Sequence, residues 1–407
     1  MRQKVINLDD LRRLAKRKLP RIAFDFIDGG VDDEVCLQTN RAAFLRYKLM
    51  PRYLRDVSKR DQSVTLFGRT YSSPVGISPT GLAGLWRPDA DLMQAAAARD
   101  ANVPFLLSTS SNASLEEAVA LAPNNVWFQM YCTSDARIND DFVRRAVQAN
   151  VHALVVTIDV PVNANRERNR RNGFSRPFRM TPSVVLDALG HPAWVMRYLR
   201  TGGVPMMRNW QPYAREGASA AEVADLFGRL TPAQTVCWGN LTRIRDAWPG
   251  PLVIKGLLHP DDALEAVKLG ADGLIVSNHG GRQLDAAPSP LEALPAIRDA
   301  VGDRLQIILD SGVRRGSDVV KARCLGASSV VFGRPSLYGV AAAGQAGVSR
   351  ALEIMRVEID MVLTQLGCAV FERLDSSFMW ADLPARPPAS IVTPQAEPRG
   401  AMHSEPV

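Results

Sequence analysis

The sequence predicts an α/β fold: a (β/α)8 TIM barrel with an N-terminal helical extension and a long insertion after its fourth strand. Three observations predict it. Short apolar runs rich in Val, Ile and Leu alternate with helical patterns from residue 74 to 344. There are eight such strand–helix units in sequence, the number that closes a barrel. No G-x-G-x-x-G follows the first run, so the crevice of an open, doubly wound sheet has no support.

The strand runs lie at 74–79, 104–108, 126–131, 153–158, 251–255, 273–277, 305–309 and 329–333. They are nearly continuous in apolar residues, as strands buried on both faces must be. Helical patterns between them include 89–100, 138–149, 260–269, 315–325 and 336–344. Residues 1–73 hold two short helical patterns, at about 7–16 and 20–28, and a less regular lead-in. The interval 162–232 far exceeds the roughly 2–6 residues of an ordinary βα loop, and long loops on that face of a barrel carry function. Residues 1–380 thus form one barrel unit, and 384–407, with six prolines and no period, are expected to be a disordered tail.

Composition narrows the function classes. With 407 residues, 46% hydrophobic and 22% charged, the chain is neither collagen-like, coiled-coil nor disordered. No apolar run approaches the roughly 18–20 residues of a spanning helix, and no secretory signal is expected at the N-terminus. Five scattered cysteines without a C-x-x-C pair suit reduced thiols in the cytoplasm and give no zinc site. The net charge of +7 is concentrated. Residues 166–216 hold ten arginines against Glu167, Asp187 and Glu216, so this segment alone carries +7. It calls for an anionic partner or is a solvated face. No nucleic-acid module is present, and no nucleic-acid partner is expected.

Reacting groups of such barrels cluster at the C-terminal ends of strands. Here those ends carry Thr80 and Gly81, Ser108, Gln129 and Tyr131, Thr157 and Asp159, and Lys255. Ser277, His279 and Arg282, then Asp310, Gly312 and Arg314, then Gly333 and Arg334 complete the series. Glycine and arginine in the last two loops favour a phosphate, bound by backbone amides, a helix N-terminus and bidentate pairing. A phosphate-tethered cofactor follows. His279, beside Gly280 and Gly281, is the candidate acid–base group, with Asp159 on a facing strand end to orient and charge-stabilise it. Lys255 suits either a Schiff base or positive charge held against a cofactor.

The string Ser277-Asn-His-Gly-Gly-Arg-Gln-Leu-Asp285 resembles the signature of the FMN-dependent α-hydroxy acid dehydrogenase/oxidase family, which includes glycolate oxidase and L-lactate dehydrogenases. Similarity runs from about residue 7 to 375, through Trp127–Tyr131, Ile254–Gly256 and Gly312–Gly316. Pro79–Trp86, Leu107–Asn112 and Val184–Asp187 are most similar to the (S)-mandelate dehydrogenase branch. The resemblance implies FMN, with Pro79, Thr80, Gly81, Ser108, Gln129, Thr157 and Ser277 toward its ring or ribityl chain. Asp310, Ser311, Gly312, Arg314, Gly333 and Arg334 would complete the ribityl and phosphate site. It implies His279 as base, Asp159 as its stabiliser, Arg166 and Arg282 on the substrate carboxylate, and Tyr131 on the 2-oxygen. Lys255 would stabilise the reduced flavin, which decides against a Schiff base.

Two positions depart from that pattern. Phe26 stands where the family has a tyrosine that helps bind the carboxylate, which removes a hydrogen bond worth about 1.5–3 kcal/mol. Ala164-Asn165 replaces Gly-Tyr before Arg166. The expected substrate is a small (S)-2-hydroxy acid, mandelate-like or otherwise bulky, with lactate as a further candidate. The expected acceptor is a quinone or another respiratory carrier, with oxygen, and hence peroxide, as the alternative. A flavin-binding barrel with altered catalysis has only Phe26 in its favour. Basic residues with Trp194, Tyr198 and Trp210 in the insertion suit peripheral contact with an anionic bilayer, on the cytoplasmic face of the inner membrane, against a lid that closes on the site. The resemblance also implies a homotetramer.

Overall fold

The computed structural model describes residues 4–174, 181–200, 202–203, 205–231 and 233–380. The expected tail at 384–407 lies outside them, as do Arg176 and Arg179 of the basic segment.

The barrel is closed by eight parallel strands in chain order. They are β3 (Val75–Ile77), β4 (Phe105–Ser108), β5 (Val126–Tyr131), β6 (Leu154–Thr157), β7 (Leu252–Leu257), β8 (Gly273–Val276), β9 (Gln306–Asp310) and β10 (Ser329–Phe332). β10 pairs with both β9 and β3, which completes the ring. Each strand falls within or against its expected run. Their residues are buried almost without exception, because helices cover the outer face and side chains fill the interior.

The lead-in is more ordered than its sequence pattern suggests. Helices Leu8–Lys18 and Arg21–Asp28 match the two expected patterns, and a third, Val35–Arg46, follows. A short antiparallel hairpin, β1 (Val64–Leu66) and β2 (Arg69–Tyr71), comes next. Its turn residues Phe67 and Gly68 both have positive φ (50° and 79°), the geometry of a tight two-residue hairpin turn. Phe67 packs 5.4 Å from the ring of Trp127 at the start of β5, and a Cβ on Gly273, at the start of β8, would meet the Phe67 ring at 2.6 Å. The hairpin therefore plugs the N-terminal floor of the barrel. After β10, helix Arg334–Ala343 leads into the 22-residue helix Gln345–Leu366, which packs against helices Arg334–Ala343, Gly316–Cys324 and Ala90–Ala101.

The insertion carries helices Glu167–Arg171, Pro182–Leu189, Pro192–Arg200 and Ala220–Leu230. Its tryptophans are not at the surface. Trp210 is fully buried and packs on Phe142 and Phe227, at 5.6 and 5.2 Å. Trp194 is buried, stacks on Tyr198 and donates to the Leu85 carbonyl. Trp194 and Trp210 anchor the insertion to the barrel, which corrects the expectation that these two side chains meet a bilayer. Among the described residues the insertion's exposed large apolar side chains are instead Val162 at its start and Val185, Leu186, Leu189, Met196 and Leu199 on two consecutive helices. Much of the segment's charge is also met internally: Arg168 pairs with Asp28 and Glu34, Arg171 with Glu167, Arg208 with Glu117, and Arg215 with Glu222. Among the described residues no helix is long and apolar enough to cross a membrane.

Candidate active site

Parallel register sets the strand ends side by side. Ser108 pairs in register with Gln129, Tyr131 with Thr157, and Thr157 with Lys255, so a polar layer forms at the top of an otherwise apolar barrel. Above it opens a cavity of about 530 Å3. Phe26, Pro79, Thr80, Gly81, Tyr131, Arg166, Lys255, His279 and Arg282 line it, with Asp310, Ser311, Gly312, Arg314, Gly333 and Arg334. Of the residues expected at the site, Ser108, Gln129, Thr157, Asp159 and Ser277 are not in this lining. All five belong to the buried strand ends or the turns directly after them.

His279 sits in a left-handed turn after β8 (φ 58°), and its backbone N–H donates to Ser277 Oγ at 3.0 Å. Its Nδ1 lies 2.8 Å from Asp159 Oδ1. Burial pushes the imidazole below its ordinary value and outweighs the pull of Asp159. For Asp159, burial opposes ionisation, but the charges of His279 and Lys255 hold the carboxyl below its usual range. The ground state is thus a carboxylate accepting from a neutral imidazole, which leaves Nε2 with a lone pair. That is the form a general base requires.

Asp159 and His279 follow β6 and β8, so the carboxylate must cross the end of β7 rather than the barrel's diameter. β7 has a register shift between Lys255 and Leu257, and Gly256 lies between them at φ 108°. A Cβ on Gly256 would meet Asp159 Cβ at 2.5 Å. The glycine therefore makes the crossing possible. Composition gives no hint of this; only the positive φ beside a strand-end lysine reveals it.

Lys255 is 3% exposed, 2.9 Å from Ser277 Oγ and 3.2 Å from Asp310 Oδ2, while Ser277 Oγ donates to the same carboxylate oxygen at 2.7 Å. Burial opposes its charge, but Asp310 and Asp159 outweigh this and raise its pKa, so the ammonium is a fixed cation. Tyr131 is pushed up by burial and stays a protonated donor.

Arg282 Nη1 donates to the carbonyls of Phe26 and Gly29, at 2.8 and 3.0 Å, at the C-terminal end of helix Arg21–Asp28. Phe26 also packs 4.7 Å from Phe174 and 5.9 Å from Trp86. The insertion completes the cavity with Asn169, Phe174, Met207 and Phe227, residues without a sequence signal of their own. Asn165, at the second departure, donates to Asp32 at 3.0 Å and ties the insertion to the N-terminal extension.

Several buried polar groups in this layer have no partner within the described protein. Both amide atoms of Gln129 and the hydroxyls of Thr80 and Thr157 are of this kind. Each unmet group costs about 1–3 kcal/mol, so the layer is built for a ligand carrying both donors and acceptors. Farther along the rim, Arg314 is held below its ordinary value by burial and by its neighbour Arg334. Arg334 uses its three nitrogens on the carbonyls of Ile27, Gly280 and Gly29, and it opens helix Arg334–Ala343. Two crowded cations at that helix N-terminus need an anion. The helix beginning at Gly316 contributes less, because Glu358 already accepts from its first amide and Asp318 from those of Arg314 and Arg315 just before it.

The comparisons agree with this chemistry. Residues 15–381 match the family model described as FMN-dependent dehydrogenase. The chain is 39% identical over 379 residues to (S)-mandelate dehydrogenase of Pseudomonas putida, covering 93% of this chain and 95% of that protein. It is 41% identical over 365 residues to L-lactate dehydrogenase of Caulobacter vibrioides, covering 89% and 94%. A crystal structure of the monotopic membrane protein (S)-mandelate dehydrogenase superposes with a TM-score of 0.88, at 39% identity, over 92% of this chain and 99% of that one.

Proposed function

The chain belongs to the FMN-dependent dehydrogenase family, is an oxidoreductase acting on CH–OH donors and uses FMN, and from that premise we propose that it oxidises a bulky or aromatic (S)-2-hydroxy acid to the 2-oxo acid and delivers the electrons to a quinone. The observation that carries this reading is the Asp159–His279 pair facing a cavity that also holds Arg166 and Arg282.

The site suits FMN on its own chemistry. The unpartnered amide of Gln129 matches a ring edge that offers donors and acceptors together, and the Arg314–Arg334 rim matches a phosphate. Gly312, at φ 84°, keeps backbone at the rim where a Cβ would strike the Asn40 carbonyl at 2.1 Å. When bound, FMN supplies the two-electron oxidant. The protein's part is positioning and proton transfer. Arg166 and Arg282 hold the substrate carboxylate, and Tyr131 donates to the 2-oxygen. His279 Nε2 takes the proton, and Asp159 stabilises the imidazolium that results. Lys255, fixed by Asp310, would hold a positive charge toward bound FMN and so favour its acceptance of electrons.

The apolar wall of Phe26, Trp86, Phe174 and Phe227 supports a substrate with an aromatic or large side chain. The exposed face of Leu186, Leu189, Met196 and Leu199 supports peripheral contact with a membrane, where a quinone is found. Anaerobic bleaching of the flavin by a panel from glycolate and lactate to mandelate and its ring-substituted analogues tests the substrate. Reoxidation by quinone against air tests the acceptor. Preference for glycolate, or rapid peroxide formation in air, would overturn the respective half of the proposal.

A further inference from the structure

A second cavity, of about 300 Å3, adjoins the active site on the far side of Tyr131. Tyr131, Val160 and Thr231 line both spaces, so a single wall separates them. The remaining walls are mainly apolar, with Val236 from the stretch just after the insertion, Trp238 and Leu241 from helix Trp238–Ala247, and Leu257 from β7. Among the described residues no Lys, Arg or His lines this space, and the one carboxyl residue there is the exposed Asp262. An anionic hydroxy acid has nothing to pair with there and one like charge to avoid. A neutral ring compound has an uncharged berth with apolar walls on several sides.

The polar groups indicate what that compound must offer. Thr231 is 4% exposed and its hydroxyl has no hydrogen-bond partner among the described residues. A buried hydroxyl of this kind is satisfied by a carbonyl acceptor. Two thiols are also in the lining: burial pushes that of Cys132 up to about 12, so it stays uncharged, and that of the exposed Cys237 donates to Asn240 Oδ1 at 3.3 Å.

We propose that this cavity docks the electron acceptor, a quinone, with a ring carbonyl accepting from Thr231 and the ring packed against Trp238. The inference rests on the reading above that a quinone reoxidises the enzyme. Conversion of CH–OH to C=O releases two electrons and two protons. The quinone takes up both electrons and both protons and leaves as the quinol, so no further oxidant is needed. Because the two cavities share a wall, the acceptor approaches without entering the Arg166–Arg282 site.

The test uses holoenzyme reduced anaerobically with its hydroxy acid and then mixed with a short-chain benzoquinone in a stopped-flow instrument. Val236→Trp fills the cavity and should slow reoxidation by the quinone about tenfold or more. Its reduction by hydroxy acid, and its reoxidation by ferricyanide, should stay at wild-type rates. Thr231→Val, which removes the donor at nearly equal volume, should weaken quinone saturation, and Thr231→Ser should restore it. Wild-type reoxidation by quinone in both Val236→Trp and Thr231→Val would overturn the docking site alone. If the unsubstituted enzyme is not reoxidised by quinone at all, the acceptor class itself fails, and the docking site fails with it.

Discussion

The centroid of the Phe26 ring lies 5.1 Å from the guanidinium carbon of Arg282, and the same arginine donates to the Phe26 carbonyl at 2.8 Å. One residue thus orients a cavity-lining cation twice, through its ring and through its backbone. Arg166 approaches the ring too, at 6.0 Å. Each such contact is worth about 0.5–1 kcal/mol or somewhat more, since the Phe26 ring is buried. A tyrosine ring would keep these contacts, so they do not replace the hydrogen bond that the missing hydroxyl would supply.

Phe26→Tyr adds a donor beside those arginines. The Michaelis constant for small 2-hydroxy acids should fall about tenfold, with little change in the limiting rate of flavin reduction. Steady-state kinetics with lactate and mandelate check this. An unchanged constant for both would mean that the carboxylate is held elsewhere.

His279→Ala should bind flavin normally and lose reduction by substrate. In the unsubstituted enzyme the imidazole lies below its ordinary value, so the base is neutral above the usual imidazole range. Reduction should therefore be flat at higher pH and fall only as pH drops below that range. Asp159→Asn removes the charge that raises the His279 pKa. Its acid limb should move to still lower pH, with a rate loss of about 10²–10⁴. Stopped-flow pH profiles of flavin reduction decide both points.

Gly256→Ala places a methyl group against Asp159. The carboxylate must move off His279, so the variant should mimic Asp159→Asn in rate and pH profile while retaining the yellow cofactor. A wild-type profile would show that the strand end relaxes without disturbing the pair.

Removing residues 175–225 wholesale would destroy packing as well as surface, since Trp210 is buried and Asn209 donates to Ser111 and Ala113. Replacing Leu186, Leu189 and Leu199 by serine addresses only the exposed face. Co-sedimentation with anionic vesicles should drop, and turnover with a soluble acceptor should persist. Retained co-sedimentation would exclude these helices as the contact.

Asp28 is buried, and burial opposes its charge, but hydrogen bonds from Arg12 and Tyr338 hold its carboxyl at about 2, below the ordinary 3.8. A depressed carboxyl contributes stability that is present above the unfolded value and lost as pH falls through the folded one. Because Arg12 is partly exposed, that contribution is about 1–2 kcal/mol. Urea unfolding should show Asp28→Asn less stable at neutral pH, with the gap closing between about pH 4 and pH 2. A constant gap would assign the loss to packing.

The barrel was legible because its strands are buried on both faces and so read as unbroken apolar runs. Strand-end polarity likewise exposed His279, Asp159, Lys255 and the two arginine loops. Hairpin Val64–Tyr71 escaped notice because three-residue strands carry no period, and Phe67-Gly68 was its one cue. Trp194 and Trp210 misled because composition cannot separate an aromatic residue that anchors a loop from one that meets lipid. The steric role of Gly256 depends on a neighbour 97 positions earlier, Asp159, and local sequence does not encode that distance.

The Phe67 plug has a consequence for traffic. With the floor sealed, fuel must arrive, and spent product and reducing power must depart, through the same rim. Crowding at a single doorway would favour separate berths for donor and carrier, and would place both beside whatever surface the leucine-bearing helices rest upon.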